Sequence, residues 1–150
     1  MNVVAIKPID CIDLRSRILR PGQPIDLCHF PEDDFESTFH LGITINNKII
    51  CSGTFMENIS PLFAKIKNQY RLRGMATDFN FQGQGFGRMI LQKAEEILLQ
   101  KSCDLLWCNA RKSAFQFYEK CGYEYHGELF DIKGVGSHKV MFKKIKMEKL

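Results

Sequence analysis

Gln82-Gly83-Gln84-Gly85-Phe86-Gly87-Arg88 is the stretch on which the reading of this chain turns. Three glycines alternate with larger residues, and an amphipathic run follows. Phe86, Met89, Ile90, Ala94, Ile97 and Leu98 recur at helical spacing, which predicts a helix over residues 85–101. A helix N-terminus carries unsatisfied N–H groups and about half a unit of positive charge. It is therefore a natural seat for an anion. Glycines let the backbone approach a diphosphate without a Cβ in the way. Arg88 opposes the helix dipole from the first turn, which points to an anion outside. A tight strand-to-helix connection would leave a similar pattern. Two other phosphate motifs fail: a P-loop needs Lys-Ser/Thr after its last glycine, where Arg88-Met89 stands. A dinucleotide fingerprint needs G-x-G-x-x-G, and Gly83, Gly85 and Gly87 are spaced otherwise.

Working outward, residues 69–78 read as the strand that feeds this turn, and residues 102–109 contain a buried strand after the helix. Residues 111–120 read as a second, shorter helix, stopped by Gly122. Strands near 123–130 and 138–145 close the chain. Upstream, residues 1–9 read as a first strand, and Asp10 as the N-cap of a helix over 11–19. Residues 20–37, with three prolines and the acidic run Glu32-Asp33-Asp34, read as a long loop with room for one short helix. Residues 38–45 and 49–55 form a hairpin through Asn46-Asn47-Lys48. Residues 61–67 are a linker or a short helix. The order β, α, β meander, then β-α-β-α-β-β describes a mixed α/β domain around a central sheet.

A chain of 150 residues suits a single domain, 1–150. Apolar residues at 45% and charged residues at 25% describe an ordinary globular balance. No run approaches the roughly 18 apolar residues of a membrane span, and the N-terminus lacks a signal-peptide core. The net charge of +4 is modest and gathers in the tail at Lys139, Lys143, Lys144, Lys146 and Lys149. These lysines read as a solvated edge strand rather than a nucleic-acid stripe. The six cysteines, Cys11, Cys28, Cys51, Cys103, Cys108 and Cys121, match no zinc spacing. They read as reduced, mostly buried thiols of a cytoplasmic protein, with a reactive cysteine as the alternative. The histidines at 29, 40, 126 and 138 show no ligand spacing either, so no metal is expected.

Gln82-x-x-Gly85-x-Gly87 resembles the cofactor motif of the GNAT superfamily of N-acetyltransferases. The preceding Leu72-Arg73-Gly74-Met75-Ala76-Thr77-Asp78 resembles that family's pyrophosphate-side strand, and Phe115-Gln116-Phe117-Tyr118-Glu119-Lys120-Cys121-Gly122-Tyr123 its closing helix and turn. The two signals stand in the right order and cover the second half of the chain. The resemblance implies a mostly antiparallel sheet, splayed at a β-bulge and flanked by helices, with acetyl-CoA as co-substrate. It implies that the backbone of Met75, Ala76 and Thr77 pairs with the pantetheine arm like an added strand. One of these amides would polarise the thioester carbonyl. Leu105 to Cys108 would form the other side of the splay. Gln82, Gly83, Gln84, Gly85, Phe86, Gly87 and Arg88 would hold the diphosphate. Arg111 stands where many relatives place an asparagine that touches the cofactor, and a surface salt bridge is its alternative.

The resemblance further implies direct transfer of an acetyl group to a primary amine, on a small molecule or a protein. Tyr118 would be the general acid that protonates the leaving thiolate. On the helix expected over 111–120 it shares a face with Arg111, Ala114 and Phe115. Its alternative is a packing role beside Phe115, Phe117 and Tyr123. No base stands out. Some relatives carry a glutamate where this chain has Asn109, leaving Glu57, Asp78 or a water chain. The acidic run at 32–34 could attract a cationic amine or simply be solvated. Two readings compete with the enzyme: a non-catalytic acyl-CoA-binding or sensing module, and a transferase of the same fold for a longer acyl group. No nucleic-acid or membrane partner is expected, and a homodimer is left open.

Overall fold

Asn46 and Asn47 both adopt left-handed dihedrals, φ 52 and 64. A two-residue I′ turn demands that pair, and it joins β2 (Phe39–Ile45) to β3 (Lys48–Glu57). The computed structural model describes residues 2–146. Met1 and Lys149, read above as part of the first strand and of the basic tail, lie outside them. The strands form a seven-stranded mixed sheet in the order β1-β2-β3-β4-β5-β7-β6. The chain divides into two units, residues 2–56 with 73–96, and residues 57–72 with 97–146.

In the first unit, β1 is only Val4–Ala5. Proline has no N–H to give a ladder, and Pro8 opens a 3-10 turn, Pro8–Cys11, instead of extending the strand. Asp10 caps that turn from within, accepting from the N–H of Lys7 at 3.0 Å, and so does not precede the helix as expected. A short α1 (Ile12–Leu14) then widens into a π-helical turn, Arg15–Leu19. The expected loop over 20–37 carries two 3-10 turns, Ile25–Cys28 and Pro31–Asp34.

A buried polar network fixes this loop. Arg15 is 1% exposed and makes a two-pronged ion pair with Asp33, at 2.7 and 3.0 Å. It also donates to Cys28 O at 2.8 Å and to Thr54 Oγ1 at 2.6 Å. The Thr54 hydroxyl is thus free to donate to Nδ1 of His40, 2.7 Å away, while Nε2–H of His40 donates to Asp33 O at 3.0 Å. Within the acidic run Asp33 is therefore neither solvated nor free to draw in a cation, whereas Asp34 stays exposed. Burial alone would raise the Asp33 carboxyl, but the bonds from Arg15 and from the Phe30 amide outweigh it and hold it below its ordinary range. Breaking one side of such a buried pair costs about 3–5 kcal/mol. Phe30 completes the cluster: the guanidinium carbons of Arg15 and Arg73 each lie 3.9 Å from its ring centroid.

β4 (Gln69–Thr77) carries Gly74 at φ 68, a left-handed dihedral that favours glycine inside a strand. Helix α2 (Phe86–Gln100) buries Phe86, Ile90, Leu91, Ala94 and Leu98, close to the face read from its periodicity.

The second unit holds the start of β4 and all of β5 (Leu105–Arg111), which run parallel with Gln69↔Leu105, Tyr70↔Leu106 and Arg71↔Trp107 in register. Phe63, Leu105, Trp107 and Val140 form its core, with Ile66, Phe130 and Phe142 packed against them. The buried amide of Gln69 is fully used: it accepts from Ser60 N at 2.9 Å and donates to Phe63 O and Ile66 O at 2.7 and 2.9 Å. Helix α3 is Phe115–Lys120, after a 3-10 turn Lys112–Ala114. Arg111 is thus the last residue of β5, not a helical neighbour of Tyr118. The helix starts later than the periodicity suggested because Arg111 stays in register with His138. β6 (Glu124–Ile132) and β7 (Gly136–Lys144) close the sheet.

β6, not the lysine-rich β7, is the edge: β7 lies between β5 and β6. Two of these lysines place their ammonium groups beside aromatic rings of the neighbouring segments. Lys139 Nζ is 5.0 Å from the Tyr125 ring centroid, and Lys143 Nζ donates to Cys121 O at 3.1 Å beside the Tyr123 ring. All six cysteines are free thiols, and only Cys121 is not buried.

Candidate active site

The residues drawn from the glycine-rich motif assemble in the first unit. Met75, Ala76 and Thr77 end β4, directly after the left-handed Gly74. Asp78 caps the 3-10 turn Phe79–Phe81 by accepting from Asn80 N at 3.2 Å. Gln82 then folds back, its Nε2 donating to Thr77 O at 2.9 Å, and Gln84 Nε2 donates to Asn80 O at 3.4 Å. The Gln82 amide thus ties the turn to the strand end, and the Gln84 amide ties it to the 3-10 turn. Gly83 and Gly85 stand at φ 76 and 87, dihedrals costly for any other residue. A Cβ on either would meet no atom within 4 Å, so the surface over them is open. Phe86, Gly87 and Arg88 form the first turn of α2, a fifteen-residue helix. Phe86 is buried and anchors the helix start, whereas Arg88 is exposed. An open, glycine-lined helix N-terminus of this length fits the diphosphate of a nucleotide-type co-substrate.

Tyr118 and Arg111 belong to the second unit. Tyr118 is 6% exposed, with the rings of Phe117 and Tyr123 at 5.0 and 5.6 Å. Its hydroxyl hydrogen-bonds the Cys108 thiol on β5. Burial first, then the neighbouring Cys108 and Cys121, push the phenol well above its ordinary value, against the opposing charge of Arg111. The phenol therefore keeps its proton throughout the neutral range. Burial likewise pushes the Cys108 thiol up to about 12, against Arg71, the Tyr118 hydroxyl and the Met141 backbone. Cys51 is pushed up to about 11 by burial, against its bond to Thr77. Neither thiol suits a nucleophile, which must ionise to react.

The bases considered from sequence are poorly disposed. Asp78 is engaged by Arg17 at 3.0 Å and by Lys48 at 3.8 Å. The Asn80 amide, then Arg17, hold its carboxyl below the ordinary range, so it gains little by taking a proton. Glu57 is exposed and lies one residue before Asn58, whose N–H bonds Gln69 O at the start of β4. Among the described residues, no three His, Cys, Asp or Glu side chains gather to hold a metal ion. No described helix is long and apolar enough to cross a membrane. Sequence reasoning set His138 aside. It is 3% exposed on β7, the cross-strand partner of Arg111, and a lone histidine in a strand carries no motif.

Comparison with known proteins bears on the same segments. The family model described as an acetyltransferase (GNAT) domain matches residues 40–125. The uncharacterized N-acetyltransferase YitI of Bacillus subtilis (strain 168) is 38% identical over 146 residues, covering 97% of each chain. The crystal structure of the ribosomal-protein-S18-alanine N-acetyltransferase from Escherichia coli superposes with a TM-score of 0.72 at 18% identity, over 99% of this chain and 96% of that one. An aminoglycoside 6'-N-acetyltransferase, solved in complex with coenzyme A, gives 0.76 at 10% identity, covering 99% of both chains. At such identities these two structures speak for the fold alone, but the family match spans the hairpin, the glycine turn and the Tyr118 helix together. The chain is a member of the GNAT family of N-acetyltransferases.

Proposed function

We propose that the chain works as one domain that transfers the acetyl group of acetyl-CoA directly to a primary amine, on a small molecule or a protein. The observation that carries this reading is the open turn Gln82–Arg88, with Gly83 and Gly85 left-handed at the head of α2. The crystal structure with coenzyme A among the fold's relatives supports the same co-substrate. When bound, acetyl-CoA supplies the activated acyl group; the remaining work falls to this chain. N–H groups of the turn and of the first turn of α2 hold the diphosphate, with Arg88 adding charge. The backbone of Met75, Ala76 and Thr77 receives the pantetheine arm, one N–H polarising the thioester carbonyl. Arg111 assists in holding the cofactor. Tyr118 hands its proton to the departing sulfur, and its protonated state at neutral pH suits that role.

The test has two arms. Calorimetry with CoA, ATP and NAD should give preference for CoA; preference for ATP or NAD would sink the reading. A library of amines with acetyl-CoA, followed by release of free thiol, then identifies the acceptor. Tight CoA binding with no thiol release across polyamines, amino acids, aminoglycosides and peptide N-termini would favour a binding module instead. Higher turnover with a longer acyl-CoA would reassign the donor.

A further inference from the structure

Acetyl transfer to an amine at neutral pH needs a proton acceptor, because an alkylammonium of the lysine type titrates near 10.4. The carboxylates weighed from the sequence do not serve. Asp33 is locked to Arg15, Asp78 to Arg17 and Lys48, and position 109 holds an asparagine. Glu57 adjoins the start of β4, whereas sheets with parallel strands bind ligands at the strands' carboxyl ends.

We propose that His138 is the general base, its Nε2 taking a proton from the acceptor ammonium; the assignment rests on the acetyl-transfer reading above. Three observations converge on it. First, His138 is paired across the sheet with Arg111, at the carboxyl end of β5, immediately before the turn that leads into the Tyr118 helix. Second, its Nδ1 lies 2.7 Å from Gly136 O. A carbonyl can only accept, so Nδ1 carries the hydrogen and Nε2 is left with a lone pair. Among the described residues Nε2 makes no hydrogen bond. Third, the ring is held in one plane: it stacks on Phe130 with centroids 5.8 Å apart and 27° between planes. A buried imidazole with a fixed tautomer and an uncommitted basic nitrogen is what a base needs. Nε2 is not one of the buried side-chain atoms that lack a partner among the described residues, so it is open to solvent, where an acceptor can reach it.

The proton balance closes. The ammonium gives one proton to Nε2, and the neutral nitrogen attacks the thioester carbonyl carbon. The C–N bond forms, the C–S bond breaks, and the sulfur leaves with its electron pair and takes the Tyr118 proton. The nitrogen's second proton returns to the Tyr118 oxygen, leaving the amide, and the imidazolium releases its proton to solvent.

Two measurements test this. Long-range ¹H–¹⁵N NMR of the ligand-free protein should find the 138 ring protonated at Nδ1 with a pyridine-type Nε2; the opposite tautomer would overturn the assignment. His138→Asn keeps an N–H where Nδ1 donates to Gly136 O and removes the basic nitrogen. With butylamine, an ammonium at neutral pH, kcat/KM should fall by about 10²- to 10⁴-fold. With hydroxylamine, already unprotonated there, the loss should stay below about tenfold. Equal losses with the two amines, or no loss with butylamine, would overturn it. His138→Gln gives the same comparison should the first variant fold poorly. If the wild-type protein neither binds acetyl-CoA nor releases thiol with either amine, the acetyl-transfer reading itself falls. Wild-type turnover that both variants retain removes His138 alone.

Discussion

A Cβ placed on Gly74 would stand 2.9 Å from Nε of Arg15 and 3.2 Å from Cε2 of Phe30. The left-handed glycine of β4 and the buried arginine cluster are therefore one construction: the strand can approach the guanidinium only where it has no side chain. Gly74→Ala meets that contact and the φ of 68 together. A left-handed non-glycine residue alone costs about 1–2 kcal/mol, so urea unfolding should lose at least that much. An unchanged midpoint would mean that the cluster yields easily.

Arg15→Ala leaves Asp33 buried without its partner and should destabilise by about 3–5 kcal/mol. Replacing the pair by Met and Leu of similar volume should recover most of that loss. The pair also fixes an acid limb. The native carboxyls of Asp33 and Asp78 are depressed, so their contribution is complete above the ordinary carboxyl range and is lost as pH falls through their lowered native values. Thermal melts from pH 7 downward should drop through that window, and Arg15→Met/Asp33→Leu should flatten the drop.

Gly85→Val forces a β-branched residue to φ 87 in the proposed diphosphate turn. The strain of about 1–2 kcal/mol either opens the turn or is borne by it. At 1.4 kcal/mol per tenfold, CoA affinity should weaken by about tenfold or more. Calorimetry giving wild-type affinity would remove the turn from the binding site.

Tyr118→Phe keeps the ring between Phe117 and Tyr123 and removes only the hydroxyl bonded to Cys108. Turnover should fall by about 10²- to 10⁴-fold, with CoA affinity nearly intact. The loss should shrink with an acyl donor whose thiol is more acidic. Wild-type turnover, with chemistry rate-limiting, would leave Tyr118 a packing residue.

Thiol accessibility gives an independent check on the interior. In native protein at neutral pH, a thiol reagent should label Cys121 first, because the other five cysteines are buried. Cys51 and Cys108 should resist longest, their thiols pushed up to about 11 and about 12. All six should react after unfolding without reductant. A shortfall of two or four would mean disulfides.

Much of this architecture was legible because it is local. The Asn46-Asn47 turn, the spacing of Phe86, Ile90, Ala94 and Leu98, and the glycines at 83 and 85 each impose their structure within a few residues. What escaped depends on partners distant in sequence. Asp33 looked like part of a solvated acidic run, and only Arg15, eighteen residues away, makes it a buried anchor. Arg111 looked helical from its spacing to Tyr118, yet cross-strand pairing with His138 keeps it in β5. The lysines of β7 looked like an edge because charge pattern says nothing of strand order. His138 had no motif at all; its interest comes from one bond to Gly136 O and one stacked ring.

Trp107 is the chain's single tryptophan. It is 6% exposed on β5, next in sequence to Cys108, with its Nε1–H bonded to Asn58 O at 2.9 Å and the Arg71 guanidinium 5.0 Å from its ring. Its emission therefore arises from one place, on the strand whose next residue meets the Tyr118 hydroxyl. Fluorescence of the unlabelled protein can follow events along that strand without an introduced dye. A rearrangement at β5 on co-substrate addition would register as a spectral shift on the stopped-flow timescale.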